Sequence, residues 1–206
     1  MSSGTTKSSS GANEPELSSV GPPNVPYLGL VRSYSERFGI DYRLILALIK
    51  QESRFQETDV STKGAYGLMQ IMPVTSSDIN DRLDLGSLAL PEENLHAGIY
   101  YFASLLRLFE SSCYRDRICL SLAAYNAGPS RIYDAQELAA YLGEDPSTWK
   151  GVRNMLPLLS KRYYTLHQSV WPDGRPKNGY FGGSRQTLAY VDAVLGNLDS
   201  YQRMFR

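Results

Sequence analysis

Residues 44–55 read LILALIKQESRF, and this stretch decides the fold. Asp41 precedes it as a suitable N-cap, so the pattern predicts a buried helix that ends near Glu52. Three residues share a helical face with Glu52, namely Tyr42, Ile45 and Ile49. Because desolvation disfavours the charged form of a carboxyl group, we expect a raised pKa for Glu52 and a role as a general acid. The alternative is that Glu52 lies at a frayed helix end and points into water.

Helical spacing of apolar residues and helix-boundary residues elsewhere in the chain predict a mainly α fold. Residues 30–38 have helical spacing before Gly39, Pro91 opens a long helix, and ICLSLAAYNAGP (118–129) is typical of a buried helix and its end. Further helices are predicted over 132–142 and 149–159, and a last one carries Leu188, Val191, Leu195 and Leu198. The segments 56–73 and 170–184 have turn signals and are predicted as loops, the first with at most a short hairpin.

Length and composition predict one domain after a tail. Residues 1–26 are rich in Ser, Gly and Pro, which predicts a flexible tail, and residues 27–206 form the domain. The 21 basic and 21 acidic residues give a formal net charge of zero, which argues against nucleic acid as a partner. The sequence has no apolar run of membrane-spanning length and no signal segment. We therefore expect membrane attachment only through an anchor or upstream domain outside the given sequence.

The sequence lacks the residue patterns that metal binding, serine-nucleophile catalysis and phosphate binding require. The two histidines, His96 and His167, have no metal-ligand spacing, no histidine pairs with a nucleophilic serine, and no glycine-rich phosphate loop is present. We therefore expect no metal and no cofactor.

The two cysteines, Cys113 and Cys119, flank a short segment between two predicted helices. In an oxidising compartment they are close enough in sequence to pair, and the alternative is two free thiols with Cys119 buried. Geometry decides between these alternatives.

Four segments together resemble the catalytic domain of lytic transglycosylases: IDYRLILALIKQESRF (40–55), STKGAYGLMQIMP (61–73), NLHAGIYYFASLL (94–106) and LAAYNAGPSRI (122–132). The resemblance extends from about residue 27 to the C-terminus and implies the soluble-lytic-transglycosylase type of the goose-type-lysozyme-like α fold. Motifs from residue 131 onwards narrow the resemblance to a membrane-bound branch of this family. In that branch a solute-binding-like domain precedes the catalytic module.

By motif position, the resemblance implies that Glu52 is the single catalytic acid and base. It implies a sugar-binding site formed by Ser61, Gln70, Met72, Tyr125, Asn126 and Tyr190. Purely structural roles stay open for three of them. Met72 could belong to the hydrophobic core, Gln70 could hold the backbone of its loop, and Asn126 could end a helix. The family often has Glu-Thr shortly before the last tyrosine, where this chain has Gln186 and Thr187.

The implied reaction is non-hydrolytic cleavage of the β-1,4 bond between N-acetylmuramic acid and N-acetylglucosamine in peptidoglycan, giving 1,6-anhydro ends. The resemblance thus implies peptidoglycan strands as the partner and the periplasm or cell envelope as the location, and we expect a monomer. Two alternatives are a lysozyme-like hydrolase, which needs a second carboxylate such as Asp59, and a non-catalytic glycan-binding module.

Overall fold

The computed structural model of the protein describes residue 1, residues 24–83 and residues 85–206, without the side chains of residues 76–78, 80 and 81. The predicted tail, residues 1–26, lies mostly outside these residues, and its flexibility stays a prediction. Within the described residues the fold is helical, as predicted. The α-helices are α1 (Leu28–Arg37), α2 (Tyr42–Glu52), α3 (Pro73–Leu83), α4 (Pro91–Leu108), α5 (Tyr114–Ala127), α6 (Pro129–Tyr141), α7 (Trp149–Met155), α8 (Tyr164–Val170) and α9 (Ser184–Met204).

Helix α2 forms the centre of the domain. Asp41 caps it, because its carboxylate accepts a hydrogen bond from the amide of Arg43 at 2.9 Å. All six residues 44–49 are buried, so burial surrounds the helix and is not confined to the predicted face. Helix α9 packs most extensively against α2, and α1 covers it as well. The C-terminal end of α2 therefore lies in the interior of the domain beside α9.

Proline and glycine residues define the ends of several other helices. Pro91 and Pro129 occupy the first turns of α4 and α6, where a missing amide hydrogen costs little. Gly128 separates α5 from α6 with a φ of 87°, a conformation that favours glycine. The helix predicted over 149–159 is α7 followed by a short 3₁₀ turn, Leu156–Leu159, since Pro157 cannot continue the α-helical hydrogen bonding.

The segment between α2 and α3 is a loop with two isolated antiparallel bridges, which join Tyr66 to Val60 and to Ile71. This agrees with the predicted loop and its hairpin. Two helices were missed in the sequence analysis, α3 and α8. Pro73, which is predicted to close the loop, also begins α3.

Candidate active site

Glu52 is the last residue of α2, and its carboxyl group is largely withdrawn from water. Tyr190 of α9 donates a hydrogen bond from its phenol to Oε1 of Glu52. Desolvation raises the pKa of Glu52 to about 7, and the hydrogen bond from Tyr190 acts in the opposite direction. The raised pKa expected from the sequence is confirmed. Near neutral pH a large fraction of Glu52 is therefore protonated and able to donate a proton.

Replacing Tyr190 with Phe should raise the pKa of Glu52 further. The phenol stabilises the carboxylate, so its removal leaves desolvation unopposed. If activity requires protonated Glu52, the alkaline limb of the pH–activity profile should move from about pH 7 to higher pH. Tyr201→Phe, a buried tyrosine on the same helix, is the matched control and should leave the limb in place. A downward shift in Tyr190→Phe would contradict this reading of the hydrogen bond.

Two buried side chains hold the loop that follows α2. Ser53, next to Glu52, donates a hydrogen bond to the carbonyl of Leu68 at 2.8 Å. Asn94 of α4 accepts from the amide of Met69 at 2.9 Å and donates to the carbonyl of Tyr66 at 3.0 Å. The loop is thus fixed to both α2 and α4. Neither anchor was identified in the sequence analysis, since a single buried polar residue leaves no periodic signal.

Gly67 lets this loop approach α4 closely. Its φ is 80°, and a Cβ at this position would lie 2.4 Å from Nδ2 of Asn94. A larger residue would therefore displace the Asn94 amide that holds the loop. The glycine of the GLMQ motif, Gly67, is therefore required by the close packing of the loop on α4.

Ser61 and Gln70 both bond to the backbone of their own loop. Oγ of Ser61 accepts from the amide of Ala65 at 2.9 Å. Nε2 of Gln70 donates to the carbonyls of Asp59 and Gly67, both at 3.0 Å. Gln70 also has a positive φ of 47°, so these bonds support a strained conformation. The alternative in which Gln70 ties down its loop agrees with this geometry, although Gln70 also lines the adjoining cavity.

A cavity of about 290 Å³ lies between the loop, α3, α4 and α5. Four of the predicted sugar-binding residues contribute to its lining: Gln70, Met72, Tyr125 and Asn126. Ser61 is not among its lining residues, and Tyr190 lies instead at Glu52. A neighbouring cavity of about 320 Å³ shares Val74, Thr75 and Tyr101 with it, so the two form adjoining parts of one groove. Together the two cavities are in the size range of small-molecule binding sites.

Tyr125 supports the loop and does not donate to Glu52. Its phenol donates to the carbonyl of Met69 at 2.6 Å, and its ring packs against Tyr101 and Phe102. Burial and the nearby charge of Glu52 raise the pKa of Tyr125 well above its usual value. Tyr125 therefore stays a neutral hydroxyl between the loop and the acid.

Asn126 connects the end of α5 to α9. Its Oδ1 accepts a hydrogen bond from Oγ1 of Thr187 at 2.9 Å, and Thr187 is buried. Thr187 was not predicted as a site residue, although it lies one helical turn before Tyr190 on the same side of α9.

Asp59, the second carboxylate suggested for a hydrolase, is not among the groups that shift the pKa of Glu52. Asp59 is exposed, and its contribution to the loop is its backbone carbonyl, which accepts from Gln70. Among the described residues, the influences on the pKa of Glu52 are desolvation and Tyr190, with no carboxylate among them. Glu52 is thus the acid that the described geometry singles out.

The histidines have packing roles. His96 stacks on Tyr34 with ring centroids 4.7 Å apart, and His167 is buried against Trp171 with a ring nitrogen 2.7 Å from the carbonyl of Leu158. Within the described ranges, no group of three His, Cys, Asp or Glu residues is arranged to hold a metal ion. No helix there has the length and hydropathy needed to span a bilayer.

The disulfide considered from the sequence does not form, and both thiols are free. Cys113 is exposed at the N-cap of α5, and Cys119 is buried six residues later on the same helix. Six residues of helix rise about 9 Å, whereas paired cysteines have Cα atoms about 4–7 Å apart. Burial also raises the pKa of Cys119 to about 11, so its thiol is unreactive.

The domain is helical, with a buried acid at a helix end, and Tyr125 links the two parts of the site, since it lines the cavity and is close enough to Glu52 to feel its charge. This arrangement is that of the lysozyme-like class of proteins. The sequence profile of the transglycosylase SLT domain matches residues 29–146. The chain belongs to this family, and its fold is that of a lytic transglycosylase catalytic domain, as the motifs predicted.

Curated relatives give the same family. Membrane-bound lytic murein transglycosylase F of Desulfosudis oleivorans is 33% identical over 82% of this chain and 35% of its own length. The protein of the same name from Marinobacter nauticus is 36% identical over 82% of this chain and 33% of its own length. The chain thus spans about a third of these relatives.

A solved structure agrees with the fold. The 70 kDa soluble lytic transglycosylase SLT70 of Escherichia coli is 25% identical, covers 87% of this chain and 24% of its own chain, and has a TM-score of 0.59. The similarity covers more of the chain than residues 29–146.

Proposed function

We propose that this domain is a peptidoglycan lytic transglycosylase that cleaves the bond between N-acetylmuramic acid and N-acetylglucosamine without adding water. The observation that carries the proposal is the Glu52 carboxyl group, which is desolvated, bonded to Tyr190 and close to half protonated at neutral pH. The names of the curated relatives, which are murein transglycosylases, support the substrate. A cell-envelope location follows from that substrate.

Glu52 would act twice in this reaction. Protonated Glu52 first donates its proton to the glycosidic oxygen, and the bond from that oxygen to the anomeric carbon of the muramoyl residue breaks. The carboxylate then accepts the proton of the muramoyl 6-hydroxyl while that oxygen bonds to the anomeric carbon. The proton count closes, because Glu52 ends in the state in which it began.

Tyr190 determines which oxygen of Glu52 does this work. Since Oε1 accepts the hydrogen bond from Tyr190, Oε2 is the atom left for the substrate. Tyr190 itself stays neutral, because burial and the adjacent Glu52 raise its pKa well above the usual value. The phenol would stabilise the carboxylate that exists between the two proton transfers.

The remaining predicted residues have supporting roles in this proposal. Tyr125, Asn126, Gln70 and Met72 line the groove and would contact the sugar rings, whereas Ser61 would act through the loop backbone. A substrate hydroxyl held near the anomeric carbon gains about 7–11 kcal/mol from proximity, which a free water lacks. One acid and an internal nucleophile are therefore sufficient.

Digestion of purified peptidoglycan tests the proposal. The expected products are muropeptides with 1,6-anhydromuramoyl ends, each lighter than the hydrolytic product by one water, and no new reducing ends. Mass spectrometry with a reducing-end assay separates the outcomes. A digest dominated by reducing ends would identify a lysozyme-like hydrolase, and binding to cell walls without cleavage would identify a glycan-binding module.

A further inference from the structure

Two cations line the groove and have no role so far. Lys63 contributes to the cavity of about 290 Å³ beside the loop, and Arg82 of α3 contributes to the neighbouring cavity of about 320 Å³. Both residues are exposed, and neither forms an ion pair with another residue of the described ranges. None of the described residues that line the two cavities is an Asp or a Glu. The described lining of the groove is therefore positively charged.

These two charges do not tune the acid. The pKa of Glu52 responds to desolvation and to Tyr190, and neither Lys63 nor Arg82 is among the groups that shift it. A cation close to Glu52 would favour the carboxylate and lower that pKa. Both cations are therefore available to a ligand. Because a cleft lined by charges of one sign concentrates their field, we expect that ligand to carry the opposite charge.

The anionic groups of peptidoglycan belong to its peptides. The N-acetylated sugar rings of the glycan strand are neutral, whereas the peptides attached to N-acetylmuramic acid carry free carboxylates. We propose that Lys63 and Arg82 bind carboxylates of these peptides, so that the groove prefers strands with acidic peptides. The inference rests on the proposed function and adds to it the part of the substrate that these two residues recognise. Since both cations are exposed, salt should weaken the recognition.

Glycan strands with native and with neutralised peptides test this preference. The neutralised strands are prepared by converting the carboxyl groups of the peptides to amides, which keeps their shape and removes their negative charge. Wild-type kcat/KM should be higher on native strands, and added salt should reduce the difference. Lys63→Gln and Arg82→Gln should each lower kcat/KM on native strands about twofold to fivefold, and the two losses should multiply in the double variant. On neutralised strands all three variants should match the wild type.

Exposed cations away from the groove provide the controls. Lys150→Gln and Arg115→Gln concern residues that line neither cavity, and they should keep wild-type kcat/KM on both substrates. Lys63→Arg and Arg82→Lys retain the charge and should retain the preference for native strands. Equal losses on native and neutralised strands, or no loss on either, would overturn the inference.

Binding without cleavage separates this inference from the proposed function. In a Glu52→Gln background, the double variant Lys63→Gln/Arg82→Gln should bind native strands about fourfold to 25-fold more weakly and neutralised strands unchanged. An unchanged affinity for native strands overturns the inference even if the wild-type enzyme yields anhydro products. A wild-type digest without anhydro products, together with the expected affinity change, would overturn the proposed function alone.

Discussion

Glu52→Gln should lower the rate of peptidoglycan cleavage by about 10²-fold to 10⁴-fold, the usual contribution of a general acid. The amide keeps the shape of the side chain and can still accept a hydrogen bond from Tyr190. It cannot release a proton to the glycosidic oxygen or take one from the muramoyl hydroxyl. Because one group serves both transfers, we expect the loss to lie at the upper end of this range.

The measurement is the initial rate of muropeptide release, with glycan binding as a second readout. Glu36→Gln, an exposed residue of α1, is the matched control and should keep wild-type activity. Binding by Glu52→Gln should be retained, since the groove residues are unchanged. Retention of more than about a tenth of the wild-type rate would show that another group supplies the proton.

The central helix could be predicted because its signals are local. Asp41 and the apolar run after it fix α2, and the helical period places Glu52 at the end of a buried face. The desolvation of Glu52 follows from that placement alone. By contrast, α3 begins with PVTSSDIND, which has too few apolar residues for a clear period, and α8 has only seven residues.

The contacts that complete the site are long-range, which is why the residues alone did not indicate them. Asn94 reaches the loop across 25 residues of chain, and Thr187 reaches Asn126 across 61. Tyr190 is 138 residues from Glu52, and only the resemblance to a family pointed to it. Such pairs depend on how helices pack, and a single polar residue in a helix has no pattern that reveals its partner.

The buried acid should also make stability depend on pH. The pKa of Glu52 is raised from 4.5 to about 7 by burial, so the unfolded chain loses the proton at lower pH than the folded one. Stability from this group is fully present below about pH 4.5 and decreases until the folded state ionises near pH 7. The shift corresponds to about 3 kcal/mol of unfolding free energy lost across that window.

Glu52→Gln removes this loss, because an amide does not titrate. The difference in unfolding free energy between the variant and the wild type should therefore increase by about 3 kcal/mol in favour of the variant between about pH 4 and pH 8. Urea denaturation at a series of pH values measures it, with Glu36→Gln as the control that should follow the wild type. Parallel curves for Glu52→Gln and the wild type would show that the carboxyl group is solvated in the folded state. The expected divergence would mean that the charge needed for the second proton transfer is held at a cost in stability, which is the pattern of a residue kept for chemistry and not for folding.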